Sequence, residues 1–163
     1  MNGTPASLLT IFGATGDLAR RMLLPSLYGL VGDGLLPPAL RILGTARSDL
    51  DVDGFKALVA ASIGQYVPAA ERNDATLARL LQRIHYQAAS VDDAASMQAL
   101  CDVIAGLRDG DIVYHLSTAP RWYAPICDAL GAHGLGGAED GQQRGGFAGH
   151  VAGPCSGSAA YCR

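Results

Sequence analysis

The stretch that most constrains the fold is residues 8–19, which read LLTIFGATGDLA. Its first half is a short apolar run, typical of a strand that is buried on both faces of a parallel sheet. Gly13 and Gly16 follow at once, where glycine permits a tight turn and lets a ligand approach the backbone closely. A helix that begins after this turn directs free N–H groups and its positive dipole end at the turn, which suits a phosphate. The stretch therefore predicts a strand, a phosphate-binding turn and a helix, as at the start of a dinucleotide-binding fold.

The turn has the pattern G-x-x-G-x-x-A, in which Ala19 is the small residue that lets the helix pack close to the strand. The commoner dinucleotide pattern is G-x-G-x-x-G, so the motif alone also fits a plain glycine turn between a strand and a helix. The carboxylate of Asp17 would repel a diphosphate. We therefore expect Asp17 to cap the helix by accepting backbone N–H bonds.

Length and composition indicate one globular domain. The 163 residues are 49% hydrophobic and 17% charged, which suffices for a packed core. The net charge of −3 argues against nucleic acid as a partner. No apolar run approaches the roughly 18 residues of a membrane span, and the start MNGTPAS does not resemble a signal peptide. We therefore predict a cytoplasmic protein with no membrane or nucleic-acid partner.

The cysteines give no sign of a metal or redox centre. Cys101, Cys127, Cys155 and Cys162 contain no C-x-x-C pair, which argues against a zinc knuckle or a thioredoxin-like site. We expect reduced thiols and no metal.

Beyond the turn, hydrophobic spacing predicts alternating helices and strands. The predicted elements are a helical segment over 18–30 that Pro25 splits or kinks, a strand over 41–46, helices over 52–63 and 77–84, a weak strand over 85–88, a helix over 92–107, a strand over 112–116 and a helix over 122–133. This order predicts a Rossmann-like α/β fold, a doubly wound and mostly parallel sheet with helices on both faces. Residues 138–163 lack periodicity and are predicted to be a disordered tail after a dinucleotide-binding domain over residues 1–137.

Four segments make a family likeness specific. They are FGATGDLARRMLLPSLYGL at 12–30, DGLLP at 33–37, ILGTARS at 42–48 and YHLSTAPRWY at 114–123. In content, order and spacing they resemble the N-terminal coenzyme domain of the glucose-6-phosphate dehydrogenase family, over roughly residues 8–137. The resemblance implies oxidation of glucose 6-phosphate to 6-phosphogluconolactone with NADP⁺, the first step of the pentose phosphate pathway. Full-length members of the family also oligomerise.

The resemblance implies coenzyme contacts at the ends of all four main strands. They fall on the diphosphate turn (Gly13, Ala14, Thr15, Gly16, Asp17, Leu18 and Ala19), on Arg47 and Ser48, on Ser90 and Val91, and on Leu116, Ser117 and Pro120. The family often carries an acidic residue where Ser90 stands, so that position departs from the pattern.

Arg47 favours NADP on its own chemistry. An NAD-specific site usually has Asp or Glu at the end of the second strand, whereas an arginine suits the 2′-phosphate of NADP. Asp49 lies close by in sequence and could accept bonds from a ribose 2′-hydroxyl, so use of NAD stays open. An unrelated α/β protein whose turn binds another phosphate ligand is a further alternative, which Arg47 disfavours.

The substrate-binding and catalytic segments of the family have no counterpart here. The resemblance would place an E-K-P-x-G segment and an R-I-D-H-Y-L-G-K-E segment after the coenzyme domain, and neither occurs. Lys56 is the only lysine, and His115 is expected to be a core residue rather than a general base. We therefore predict no catalytic residue in this chain, and glucose 6-phosphate as a partner only where the missing domain is present. The alternatives are a non-catalytic NADP-binding module or an inactive truncated product, since the composition after residue 137 also fits a reading-frame change.

Overall fold

The computed structural model describes residues 6–136 and 160–162. In this part of the chain five strands form one sheet in the order β3-β2-β1-β4-β5. The strands are β1 Leu8–Phe12, β2 Arg41–Ala46, β3 Ile84–Ala88, β4 Ile112–Leu116 and β5 Ala160–Cys162. The pairings among β1 to β4 are parallel, and β5 pairs antiparallel with β4. The central strand is β1, the apolar run that precedes the glycine turn.

Helices connect the parallel strands and cover both faces of the sheet. They are α1 Leu24–Gly32, α2 Val52–Tyr66, α3 Asp74–Gln82, α4 Ala94–Leu107 and α5 Tyr123–Ala132. Single turns of 3₁₀ helix lie at Ala69–Glu71 and Pro120–Trp122. The predicted order of elements and the predicted Rossmann-like α/β class are confirmed.

Each face of the sheet has its own apolar core because side chains alternate along a strand. Ile11 and Ile42 face α1, α2 and α3 in the first core, and both are fully buried. Phe12 and Leu43 face α4 and α5 in the second core. The sheet is thus the middle of three layers, which leaves its strand ends as the open edges.

Gly44 in the middle of β2 makes room for an aromatic side chain. A Cβ at this position would lie 2.5 Å from Cζ of Phe55 and 3.1 Å from Cβ of Ala14. The Phe55 ring, fully buried, lies with its centroid 4.7 Å from that of Tyr86. Phe55 therefore packs directly on the sheet, next to the glycine turn.

The helical segment after the turn is continuous and contains a π-helical turn, Ala19–Leu23. The N–H of Leu24 donates to the carbonyl of Ala19, and α1 begins at Leu24. Pro25 lies in the first turn of α1, where the lack of an N–H costs little. Of the two predicted arrangements, the single modified helical segment is therefore the one observed.

Most of the predicted tail over residues 138–163 lies outside the described residues. The described part is Ala160–Cys162, whose backbone pairs with β4 so that Ala160 lies opposite Leu116. The disorder predicted for residues 138–163 as a whole stays a prediction.

Candidate functional site

The residues predicted to form the site lie at the carboxyl ends of the four parallel strands. In the register of the sheet, Phe12 at the end of β1 lies opposite Thr45 on one side and Leu116 on the other. The strands therefore end nearly level. Because β1 lies between β2 and β4, the strand order reverses beside it, and open α/β sheets bind ligands in the crevice at this point. We call this edge the carboxyl edge.

Two backbone hydrogen bonds fix the glycine turn on the end of β2, and a third closes the turn. The N–H groups of Gly13 and Ala14 both donate to the carbonyl of Thr45, at 2.9 and 3.1 Å, and that of Gly16 donates to Gly13 at 3.0 Å. Gly13 has φ of +77°, and a Cβ on it would collide with the carbonyl oxygen of Ser117. The turn thus needs glycine at position 13 both for its conformation and for its contact with the end of β4.

The first helical turn after Gly16 presents backbone donors. Among the described residues, the N–H groups of Asp17, Leu18 and Ala19 have no backbone acceptor, whereas Arg20 donates to Gly16 at 3.0 Å. This is the general property of a helix start, and together with the helix dipole it favours an anion at this place. Gly16 is exposed and has no side chain, so a ligand can reach these donors.

The predicted capping role of Asp17 is wrong. The helical segment has no side-chain cap, and Oδ2 of Asp17 instead accepts from Nη1 of Arg21 at 3.4 Å. Asp17 already belongs to the helix, one turn before Arg21, where such a pair forms readily on the surface. The carboxylate therefore leaves the backbone donors of the turn open to a ligand.

A side-chain network ties the loop after β2 to the turn. Oγ1 of Thr15 and Oγ of Ser48 lie 3.0 Å apart. The hydroxyl of Tyr86, on β3, donates to the carbonyl of Ser48 at 2.7 Å. Burial, and to a lesser degree Asp49, raise the pKa of Tyr86, so its hydroxyl stays protonated and remains a donor. Arg47 lies next to Ser48, so these hydrogen bonds also fix the backbone segment that contains Arg47.

Sequence reasoning missed Tyr86 and Thr45. Neither carries a recognisable motif, because Tyr86 acts through a hydroxyl that reaches 38 positions back along the chain. The one available signal was the position of Tyr86 within a predicted strand, where an aromatic residue is expected to pack inward.

Arg47 is exposed at the carboxyl edge, as is Asp49. Within residues 6–136, no carboxylate lies within 4.0 Å of the Arg47 guanidinium. Its donors are therefore available to an external anion beside the glycine turn.

The end of β4 contributes two buried hydroxyl groups. Oγ of Ser117 and Oγ1 of Thr118 have no hydrogen-bond partner among the described residues. A buried hydroxyl without a partner costs about 1–3 kcal/mol, so a ligand that bonds either one would recover this free energy. Ser117 was predicted by resemblance, and Thr118 lies within the same predicted segment, 116–120. Leu116 is 1% exposed and its side chain belongs to the second core, while Pro120 opens the 3₁₀ turn after the strand.

Ser90 and Val91 reach the same edge at the end of β3 but offer less to a ligand. The N–H of Ser90 donates to Oγ of Ser96 at 3.0 Å, and the carbonyl of Ser90 accepts from the same hydroxyl at 3.2 Å. Val91 packs against the second core. The backbone here is already bonded to the start of α4.

None of the described histidines offers an exposed imidazole at the carboxyl edge. His115 is 5% exposed within β4, as predicted for a core residue, and burial lowers its pKa. His85 lies near the start of β3, at the opposite edge of the sheet. His133 uses one ring nitrogen on the carbonyl of Ala129 and the other on Gln98, both at 2.7 Å. His150 lies outside the described residues.

The described residues contain neither a cluster of metal ligands nor a membrane-spanning helix. No group of three or more His, Cys, Asp or Glu side chains there could hold a metal ion. No helix there is long and apolar enough to cross a membrane.

Comparison with known proteins gives the family of this site. A family model described as "Glucose-6-phosphate dehydrogenase, NAD binding domain" matches residues 10–144. The chain belongs to this family. The matched range contains the glycine turn, Arg47 and the end of β4, and the description of the model supports a nicotinamide dinucleotide as the coenzyme.

Relatives and solved structures agree with the family. Glucose-6-phosphate 1-dehydrogenase of Zymomonas mobilis is 39% identical over 131 residues, which are 80% of this chain and 27% of that protein. The enzyme of Mycolicibacterium smegmatis is 38% identical over 143 residues, 83% of this chain and 29% of the relative. The crystal structure of glucose-6-phosphate 1-dehydrogenase from Mycobacterium avium superposes with a TM-score of 0.70 at 32% identity, covering 80% of this chain and 28% of that one. The chain therefore spans less than a third of the length of these relatives.

Proposed function

We propose that the chain is the NADP-binding domain of a glucose-6-phosphate dehydrogenase and holds the coenzyme while glucose 6-phosphate is oxidised to 6-phosphogluconolactone. The observation that carries the proposal is the glycine turn at the end of β1, bonded through Thr45 and Ser48 to the strand end that carries Arg47. Backbone donors and a guanidinium therefore lie at one edge of the sheet. NADP carries a diphosphate, which suits the backbone donors, and a 2′-phosphate, which suits the guanidinium.

The turn and the helix start would hold the diphosphate. The donors are the N–H groups of Asp17, Leu18 and Ala19, with Gly16 leaving space for phosphate oxygens above them. Thr15 would add its hydroxyl. The collision that a Cβ on Gly13 would make with Ser117 shows how closely the turn and the end of β4 approach each other, so the diphosphate and the nicotinamide end would share this crevice.

Arg47 would bind the 2′-phosphate and thereby favour NADP over NAD. A guanidinium can form a bidentate, charge-assisted pair with a phosphate. A hydrogen bond to a charged group contributes about 1.5–3 kcal/mol, which corresponds to a preference of roughly tenfold to a hundredfold.

Ser117 and Thr118 would hold the nicotinamide end, because their buried hydroxyls need partners. When bound, the nicotinamide ring supplies the hydride acceptor of the reaction. The remaining predicted contacts, Ser90 and Val91, would form the outer boundary of the site. We also propose that residues 1–137 form the coenzyme domain, to which the family match adds residues up to 144.

Coenzyme binding without chemistry is a second candidate function for this chain. The observation that favours it is the lack of an exposed histidine at the carboxyl edge among the described residues, since His115 is buried and His85 lies at the opposite edge. Both candidates share the same coenzyme site and differ only in whether a substrate is converted.

Replacing Arg47 with alanine tests the proposed specificity. We expect the affinity for NADP to fall by about tenfold to a hundredfold, because one charged contact to the 2′-phosphate is lost. The affinity for NAD should stay nearly the same. Isothermal titration calorimetry with both coenzymes gives the two dissociation constants.

The matched control is Arg108→Ala, which removes an exposed arginine after α4. It should change neither affinity. Equal losses for NADP and NAD in Arg47→Ala would instead assign Arg47 a structural role and would contradict the proposed specificity.

A further inference from the structure

A second concave surface lies at the amino ends of β2 and β3, opposite the carboxyl edge. Its volume is about 540 Å³, within the range of sites for small molecules. Its lining includes Leu40, Arg41, Arg79, Gln82, Arg83 and His85. We call it the amino-edge cavity. The predicted coenzyme residues lie at the other end of the strands, so the two sites do not overlap.

The amino-edge cavity is strongly basic although the chain as a whole has a net charge of −3. Three arginines line it, and no Asp or Glu does. In residues 6–136 none of the three lies within 4.0 Å of an Asp or Glu oxygen. The concentration of positive charge is therefore a local feature, and it is not neutralised by ion pairs.

Each guanidinium is anchored by a hydrogen bond to the fold. Arg41 donates to the carbonyl of Leu107 at 2.6 Å, and Arg83 donates to the carbonyl of Pro37 at 2.7 Å. Arg79 donates to the hydroxyl of Thr76 at 3.2 Å. A guanidinium has five N–H donors, so most of the donors of each group remain for a ligand. The anchoring bonds already restrict the arginine side chains, so these side chains lose less conformational entropy when a ligand binds.

The pKa of His85 reflects the positive charge around the cavity. Burial, then Arg41 and then Lys56 lower the pKa of His85, so the imidazole is neutral near pH 7. A neutral imidazole adds one donor and one acceptor without adding to the repulsion between the arginines. No acidic residue counts among the groups that shift this pKa.

We propose that the amino-edge cavity binds a compact polyphosphate anion, either free or as the phosphate chain of a nucleotide. Three guanidinium groups can pair with several phosphate groups at once, which a single phosphate cannot exploit. The volume of the cavity exceeds the space that one phosphate fills. Binding would relieve the repulsion among the three unpaired arginines, and it would do so independently of the coenzyme.

The test titrates tripolyphosphate into the 163-residue chain by calorimetry, with and without saturating NADP. We expect one binding event that persists with NADP present. Arg79→Ala should weaken it by about tenfold or more, since one charged contact is lost. Gln82→Glu, which puts a negative charge into the cavity without removing an anchoring bond, should weaken it as well. Circular dichroism checks that both variants are folded.

Two controls separate this cavity from the coenzyme site. Arg121→Ala, which removes an exposed arginine after β4 at the other end of the strands, should have no effect in the presence of NADP. Arg47→Ala should leave tripolyphosphate binding in the presence of NADP unchanged. ATP serves as the second probe. Equal affinities for ATP and tripolyphosphate would identify the phosphate chain as the ligand, and tighter binding of ATP would identify a nucleotide.

Three results would overturn the proposal. They are no binding of either probe, equal binding of inorganic phosphate and tripolyphosphate, and binding that Arg47→Ala removes while Arg79→Ala leaves it intact. The last result would show that the anion binds at the carboxyl edge only.

Discussion

Replacing Gly13 with alanine will destabilise the chain by about 2–5 kcal/mol and abolish coenzyme binding, because strain and a steric clash add at this position. A residue with a side chain at φ of +77° is strained, and the new Cβ would collide with the carbonyl oxygen of Ser117. That carbonyl belongs to the end of β4, so relief of the clash separates the turn from the strand end beside it. Urea denaturation followed by circular dichroism measures the loss of stability, and NADP titration measures the loss of binding.

Two glycines in the chain separate the two contributions. Gly34 has φ of +67° and no atom within 4 Å of an added Cβ, so Gly34→Ala adds strain alone and should cost about 1–2 kcal/mol. Gly29 lies within α1 in open space, and Gly29→Ala should be neutral or stabilise by up to about 1 kcal/mol. If Gly13→Ala costs no more than Gly34→Ala and still binds NADP, the close contact with Ser117 is not part of the site.

The 163-residue chain will bind NADP without oxidising glucose 6-phosphate at a useful rate. Hydride transfer from C1 needs a base for the hydroxyl proton and cations for the sugar phosphate. Lys56 lies in α2, and the described histidines are buried, bonded or at the opposite edge. Loss of a general base alone costs about 10²–10⁴-fold, and loss of substrate positioning should cost more.

The assay follows NADPH absorbance with glucose 6-phosphate, beside a full-length relative as the positive control. Calorimetry on the same sample shows that the chain is folded and binds coenzyme. Turnover within about tenfold of the relative would contradict this prediction and would mean that a catalytic group lies within the chain, since a missing base costs far more than tenfold.

The sequence predicts strands better than helix ends. The bounds predicted for β2 and β4 are those observed. Each strand contains a short apolar stretch, Ile42–Leu43 in β2 and Ile112–Val113 in β4, that is typical of a strand buried in a parallel sheet. Helix α3 is Asp74–Gln82 rather than 77–84, since the side chain of Asn73 accepts from Thr76 and starts the helix earlier. Ile84, which continues the helical spacing, belongs to β3 instead.

The candidate site could be predicted only where it is local in sequence. The glycine turn and Arg47 each carry their chemistry in a few neighbouring residues. Tyr86 supports Ser48 across two strands, and the unpartnered hydroxyl of Thr118 becomes evident only in the packed structure. The role predicted for Asp17 is wrong because its ion pair with Arg21 competes with helix capping. The pattern of residue types alone does not show which of these two interactions is more stable.

The central claim is that NADP binds at the carboxyl edge, between the glycine turn and Arg47. Amide chemical-shift mapping of the isotope-labelled chain during NADP titration tests it most directly. We expect the largest shifts at Arg47 and at the N–H groups of Asp17, Leu18 and Ala19, which have no backbone acceptor among the described residues. Shifts confined to the amino-edge cavity, around Arg79, would place the coenzyme at the wrong end of the strands and contradict the claim.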